Sequence, residues 1–346
     1  MDLARRRQRC ATGRGRTRKL ERTALDRRTC AEYLSTPSQS RTTSQPMNTA
    51  DTTIGILGLG LVGQALATRL KACGYPVAGC DPSPAAQTAA QAAGVQVTAS
   101  ATALARQCEA VIICVLDDAA LLACANAVAD APGKTVLVLS CVTASVQATQ
   151  DAASLLERHH IAFADMPLLG SSRQIAQGEA LGLLGADEAV PGGWSKLLSD
   201  LCPRYRHVGP RAYGVRAKLA CNLVLGLNRV ALAEGLALAT TLGLDGTRFL
   251  ELLRESPAYS RAVDVAGPRM VARDFSPASR IRQHRKDLAL ILEQGDQAGL
   301  DLTLTAAHAA LLDGAIEDGL GDLDNAAVIA AILPHHPKPN PDGKPL

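Results

Sequence analysis

The sequence predicts an α/β fold in which a doubly wound parallel sheet is followed by an all-helical C-terminal domain. Short apolar runs near 54–58, 77–80, 110–116, 135–139 and 161–164 alternate with Ala- and Leu-rich helical stretches. That alternation is the mark of β-α-β units, whose crossovers are right-handed and build a parallel sheet. Two further strands are predicted at 180–184 and 205–208, and past Gly214 the strand signal disappears. The chain is 47% hydrophobic yet 3% aromatic, so its cores are built from Ala, Leu, Val and Ile, which suit helices packed closely on buried parallel strands.

Charge divides the 346 residues unevenly. Residues 1–46 carry 12 Lys and Arg against 4 Asp and Glu, and the rest carries 24 against 29. The body is therefore mildly acidic and presents no basic face for nucleic acid. Residues 1–50 lack apolar periodicity, so burial cannot offset the entropy of ordering them and a disordered extension is predicted. Asp2, Glu21, Asp26 and Glu32 argue against a targeting peptide, and an upstream extension before a start at Met47 fits better. The expected division is a nucleotide-binding domain over 51–210, a helical domain over 211–333 and a proline-rich disordered tail over 334–346. The apolar run 219–244 is broken by Asn222, Asn228, Arg229 and Glu234, so no membrane span is predicted. Ten cysteines without a C-x-x-C or a Cys/His cluster read as buried thiols of a reducing, cytoplasmic compartment, with no metal site.

The first strand carries the strongest local signal. Residues 54–63 read IGILGLGLVG, an apolar strand entering G-x-G-x-x-G at Gly58, Gly60 and Gly63, with Val62, Leu66 and Leu70 as a helical stripe beyond it. The first glycine permits the tight turn, the second lets the backbone approach a pyrophosphate, and the third packs helix on strand. The whole loop Gly58-Leu59-Gly60-Leu61-Val62-Gly63 is predicted to hold the cofactor at the helix N-terminus. A second strand ends in Asp81, whose carboxylate accepts hydrogen bonds from ribose hydroxyls and repels a 2′-phosphate. Pro82, Ser83 and Pro84 supply no arginine to neutralise one. The pattern predicts a Rossmann-type domain that binds NAD in preference to NADP.

Residues 215–242 are predicted as one long helix, apolar nearly all round, as at the centre of a helical domain. Helices follow near 246–254, 260–272, 285–298, 303–318 and 324–332, and the cleft between sheet and helices is the expected ligand site. Lys218 and Asn222 stand at i and i+4, so both emerge on one face of the long helix. Set among Ala217, Leu219, Ala220 and Leu223, Lys218 is partly desolvated, which lowers its pKa and suits it to acid/base work. Taken alone, such a lysine is more often a snorkelling surface residue.

In four ordered segments the chain resembles the beta-hydroxyacid dehydrogenase family over most of residues 53–333. They are GLGLVGQALATRL at 58–70, DMPLLGSSRQIAQG at 165–178, GPRAYGVRAKLACN at 209–222, and DFSP at 274–277 with KDLAL at 286–290. The resemblance implies hydride exchange between a nicotinamide and a short 3-hydroxy acid or its semialdehyde. It implies that Lys218 exchanges the hydroxyl proton, that Asn222 positions the substrate, and that Lys286 and Cys141 lie beside the cofactor. A homo-oligomer is implied as well. Where the family binds the substrate carboxylate with a serine and glycine backbone, this chain has Leu169, Gly170 and Ser171. The N–H groups of Gly170 and Ser171 remain candidates for the anion, while Leu169 makes the space more apolar. Cys141 stands for a threonine, Ala212 for a glycine, and Ser279, Arg280, Arg282 and His284 make an apolar stretch polar. Two other readings are a reductase of another carbonyl or imine on the same fold, and a non-catalytic NAD-binding regulator. Lys218 and Asn222 argue against the imine branch, and Lys218 against the regulator.

Overall fold

In the computed structural model, residues 49–131, 133–187 and 194–333 are described. The extension expected before residue 49 and the tail expected over 334–346 lie outside them.

Strand and helix alternate as β1 (Ile54–Leu57), α1 (Leu61–Ala72), β2 (Val77–Cys80), α2 (Pro84–Ala92), β3 (Gln96–Val97), α3 (Ala101–Ala105), β4 (Ala110–Ile113), α4 (Asp118–Ala129), β5 (Leu137–Ser140), α5 (Val146–Arg158) and β6 (Ala162–Asp165). These six strands are parallel in the order β3-β2-β1-β4-β5-β6. The winding therefore reverses between β1 and β4, and a crevice opens at their carboxyl ends. Leu57 is level with Cys80 on one side and Ile113 on the other. The loops carrying Gly58, Asp81 and Cys114 thus leave the sheet along one edge. Alternate residues feed two cores, with Ile54, Ile56 and Ile112 on one face and Leu57, Val111 and Ile113 on the other, as the two-residue period of a strand requires.

The chain continues as β7 (Leu168–Leu169), α6 (Ser172–Gln177), β8 (Leu181–Gly185), α7 (Ser195–Leu201) and β9 (Arg206–Gly209). Here the sheet departs from the all-parallel expectation. The chain doubles back after Leu169, pairing β7 with β8, so β8 enters antiparallel to β6, and β9 then lies parallel to β8. β3 and β7 are two residues long, too short for an alternation pattern to reveal.

The helical layer comprises α8 (Tyr213–Thr241), α9 (Gly246–Glu255), α10 (Arg261–Val265), α11 (Gly267–Ala272), α12 (Ile281–Gln297), α13 (Thr303–Glu317) and, after a 3-10 turn, α14 (Val328–Ile332). The one helix expected over 260–272 is interrupted at Ala266, where Pro268 in the first turn of α11 lacks the N–H needed to continue α10. α12 starts at Ile281 rather than 285, because the polar 280–284 stretch hides a helical face on which Ile281 and His284 are buried. By length and composition α8 does reach what a membrane span needs, with mean hydropathy 1.4 over its best window, despite its polar residues. Leu219, Leu232 and Leu236 of this helix pack with Leu250, Ile281, Leu288 and Leu312, so one face of it lies in the core.

Candidate active site

The glycine loop shows three separate physical demands. Gly58 has φ +94°, a conformation that side chains rarely adopt, and a Cβ there would also press on the Cys114 carbonyl. A Cβ on Gly63 would overlap the Gly58 carbonyl oxygen, so only glycine lets α1 seat on the turn. A Cβ on Gly60 would meet nothing within 4 Å, because this glycine faces open space. Among the first five helices, α2 to α5 start with Ser83, Ser100, Asp117 and Ser145, whose side chains accept an N–H of the first turn, whereas α1 has no side-chain cap. Its first N–H groups are left for an anion, which fits a dinucleotide pyrophosphate. Asp81 accepts from the N–H of Leu59 at 2.7 Å and of Ser83 at 2.8 Å. The carboxylate thereby clamps the loop to the end of β2 while each oxygen keeps a lone pair for a ribose hydroxyl.

The N-terminus of α8 is held by Asp165 at the end of β6. Its carboxylate is 1% exposed and accepts from the N–H groups of Ala212 and Val215, each at 2.7 Å. Ala212 sits at φ +65°, the left-handed conformation for which glycine is better suited. This anchoring aims Lys218 at β7: its Nζ donates to the Leu168 carbonyl at 2.6 Å. Burial lowers the Lys218 pKa, and the nearby Asp287 carboxylate opposes that shift. Asn222, 5% exposed, donates through Nδ2 to Asp287 Oδ2 at 3.0 Å. The other Asp287 oxygen lies 3.2 Å from Lys286 Nζ. Lys286 Nζ also donates to the carbonyls of Leu116 at 2.9 Å and Thr143 at 2.6 Å, which lie in the loops after β4 and β5. The segments around Leu168, Lys218 and Lys286, far apart in the chain, thus meet at one edge of the sheet.

Of the other expected residues, Leu169 is partly buried and Gly170 is exposed. Ser171 is engaged locally: its N–H donates to Gln174 Oε1 at 2.9 Å and its hydroxyl accepts from the Gln174 N–H, a capping box that starts α6. Its N–H is therefore not free for a substrate carboxylate as expected. Cys141, just past β5, is 9% exposed and within side-chain hydrogen-bonding reach of Cys114, whose thiol is pushed up by that contact and by burial. Two residues carry weight that spacing did not reveal. Asp165 stood inside a recognised segment without a role, and Asp287 stood next to Lys286; each becomes legible only when its long-range partners are known. Among the described residues, no three His, Cys, Asp or Glu side chains cluster closely enough to share a metal ion.

A dinucleotide-binding sheet, a helical layer and a half-buried lysine at their junction define an NAD(P)-dependent oxidoreductase. Residues 53–209 match the family described as NAD binding domain of 6-phosphogluconate dehydrogenase, and residues 212–332 match the one described as NAD-binding of NADP-dependent 3-hydroxyisobutyrate dehydrogenase. The chain belongs to the beta-hydroxyacid dehydrogenase family, whose members act on the CH–OH group of hydroxy acids. It is 29% identical over 285 residues to a probable 3-hydroxyisobutyrate dehydrogenase of Mycobacterium tuberculosis, covering 80% of this chain and 97% of the relative. It is 28% identical to the 2-hydroxy-3-oxopropionate reductase of Escherichia coli, over 81% of this chain and 96% of that one. The solved structure of Mycobacterium tuberculosis 3-hydroxyisobutyrate dehydrogenase with L-serine superposes with a TM-score of 0.73 at 27% identity, covering 81% of this chain and 99% of that one.

Proposed function

We propose that the protein interconverts a short 3-hydroxy acid and its semialdehyde, with Lys218 exchanging the hydroxyl proton and NAD as the preferred cofactor. The observation that carries this reading is Lys218 itself, anchored at the domain junction with its pKa lowered by burial and Asn222 one turn along the same face. In the oxidation direction the neutral amine takes the substrate hydroxyl proton; in reduction the ammonium returns it. When bound, the nicotinamide accepts or gives the hydride. The loop from Gly58 to Gly63 holds the pyrophosphate, Asp81 takes the ribose hydroxyls, and Cys141 and Lys286 stand beside the nicotinamide end. The absence of an arginine after Asp81 favours NAD. Gly170 supplies a backbone donor for the substrate carboxylate, and Leu169 makes the wall beside it apolar. Val224, Leu225 and Leu238 of α8 are large, apolar and exposed, which supports burial of this helix in a homo-oligomer.

The test is to incubate purified protein with NAD or NADP and a panel of short 3-hydroxy acids while following nicotinamide absorbance. Turnover of one or more with NAD is expected. Measurable NADH binding without turnover of any of them, in either direction, would overturn the reading.

A further inference from the structure

We propose that Asp287 is the positioning residue of this site, a buried carboxylate on α12 that orients the Asn222 amide and supplies the counter-charge to both Lys218 and Lys286. The inference rests on the reading of Lys218 as the proton-exchanging group and deepens it.

The geometry of Asn222 comes first. An ionised carboxylate only accepts hydrogen bonds, so the part of the Asn222 amide that faces Asp287 Oδ2 at 3.0 Å must be the NH2. Turning the amide over would set oxygen against oxygen. The Asn222 carbonyl oxygen is therefore directed away from Asp287, as an acceptor for a hydroxyl hydrogen, and Asp287 keeps it there.

The second link runs to the sheet. The Lys286 ammonium donates to the carbonyls of Leu116 and Thr143 and forms an ion pair with Asp287 Oδ1 at 3.2 Å, an oxygen that is buried and accepts no hydrogen bond. One carboxylate thereby joins the asparagine of α8 to the loops after β4 and β5. A carboxylate 7% exposed persists as an anion only when paired. Burial raises the Asp287 pKa, and Lys286 and then Lys218 oppose the rise.

The third link is electrostatic. The groups acting on Lys218 are Asp287 and Lys286 from α12 and Cys221 from its own helix, and His284 of α12 feels the Lys218 charge while burial keeps its ring neutral. Asp287 is the carboxylate in this set. It holds the lysine protonated to higher pH than burial alone would allow, and Lys286 acts in the opposite sense. Two ammoniums against one carboxylate leave the group cationic, suited to an anionic substrate.

The test uses Asp287→Asn, which keeps an oxygen for Asn222 and removes the charge, and Lys286→Met, which removes the competing cation. The pH dependence of Lys218 acylation by acetic anhydride, read by mass spectrometry on cofactor-free protein, follows the lysine whether or not a hydroxy acid is turned over. Asp287→Asn is expected to move the midpoint down by about one pH unit, and Lys286→Met to move it up. An unchanged midpoint in folded Asp287→Asn, or shifts of the same sign in both variants, would overturn the proposal. If circular dichroism shows Asp287→Asn unfolded, an unmoved midpoint in Lys286→Met overturns it alone. Failure of the hydroxy-acid panel with these shifts intact would remove the proposed reaction and leave the electrostatic coupling standing. With a substrate in hand, the pH limb of kcat should follow the same shifts, which a purely structural role would not produce.

Discussion

Lys218 Nζ and the carbonyl oxygen of Leu168 are joined across 2.6 Å, tying the long helix of one layer to the short strand Leu168–Leu169 in the other. Replacing Lys218 by Ala removes one partly buried hydrogen bond, worth about 1 kcal/mol, and the proton-exchanging group. We expect kcat to fall by about 10²- to 10⁴-fold while NADH affinity, measured by fluorescence titration, stays within about twofold. Retained turnover would refute the assignment.

The same lysine gives a signed pH dependence. Its pKa is lowered from 10.5 by burial, and oxidation needs the neutral amine. Oxidation should therefore rise with pH through a limb below 10.5, and reduction should fall across the same limb. Initial rates in both directions over pH 6–10 check this; parallel limbs would exclude one titrating lysine.

Gly60 and Gly63 separate binding from folding. Gly63→Ala forces a Cβ onto the Gly58 carbonyl oxygen, which α1 must move away to accommodate. It should lose about 2–3 kcal/mol of stability and its cofactor affinity together. Gly60→Ala meets nothing within 4 Å, so its Tm should change by no more than about 2 °C while NADH binds at least tenfold more weakly, roughly 1.4 kcal/mol. Thermal melts and NADH titration of both variants distinguish them, and equal effects on Tm would contradict the roles given to the two glycines.

That difference was legible in advance because G-x-G-x-x-G follows an apolar strand and precedes a helical stripe, so local order alone assigns the roles. The sheet was legible through β6, apart from the two-residue β3, for the same reason: each crossover between the longer strands brings its own strand-helix period. β7, two residues long, carried no period, and the antiparallel turn of β8 followed from that hidden hairpin. Ser171 illustrates a subtler limit. Its spacing from Gln174 is that of a capping box, and the competing helix start, not an anion, takes its N–H. Asp165 acts on Ala212 and Asp287 on Asn222, partners roughly fifty residues or more distant, so no short-range pattern contains these contacts.

Asp81 governs the choice between NAD and NADP. Asp81→Asn keeps an oxygen for the Leu59 N–H and removes the charge that repels a 2′-phosphate. Wild type should favour NAD in kcat/KM by at least about tenfold, and the variant should narrow that ratio by a similar factor. Steady-state kinetics with both cofactors decide it; a wild-type preference for NADP would show that groups other than Asp81 set the selectivity.

Two buried groups give stability opposite slopes on the acid side. Burial pushes the Asp165 carboxyl up to about 6, against the N–H groups of Val215 and Ala212. An acid raised in the folded state contributes stability that is complete below its unfolded value near 3.8 and is lost as pH rises through about 6, by at most about 3 kcal/mol. His308, which packs 5.2 Å from His284 beside Gly226, is taken down to about 4 by burial first and Arg229 second. A depressed base contributes stability that is present above about 6.5 and lost as pH falls through about 4. In urea titrations from pH 7 to 4, Asp165→Asn should therefore lose stability relative to wild type as the pH falls, and His308→Gln should gain. Slopes of the same sign in the two variants would mean that these groups are not the ones titrating in the folded protein.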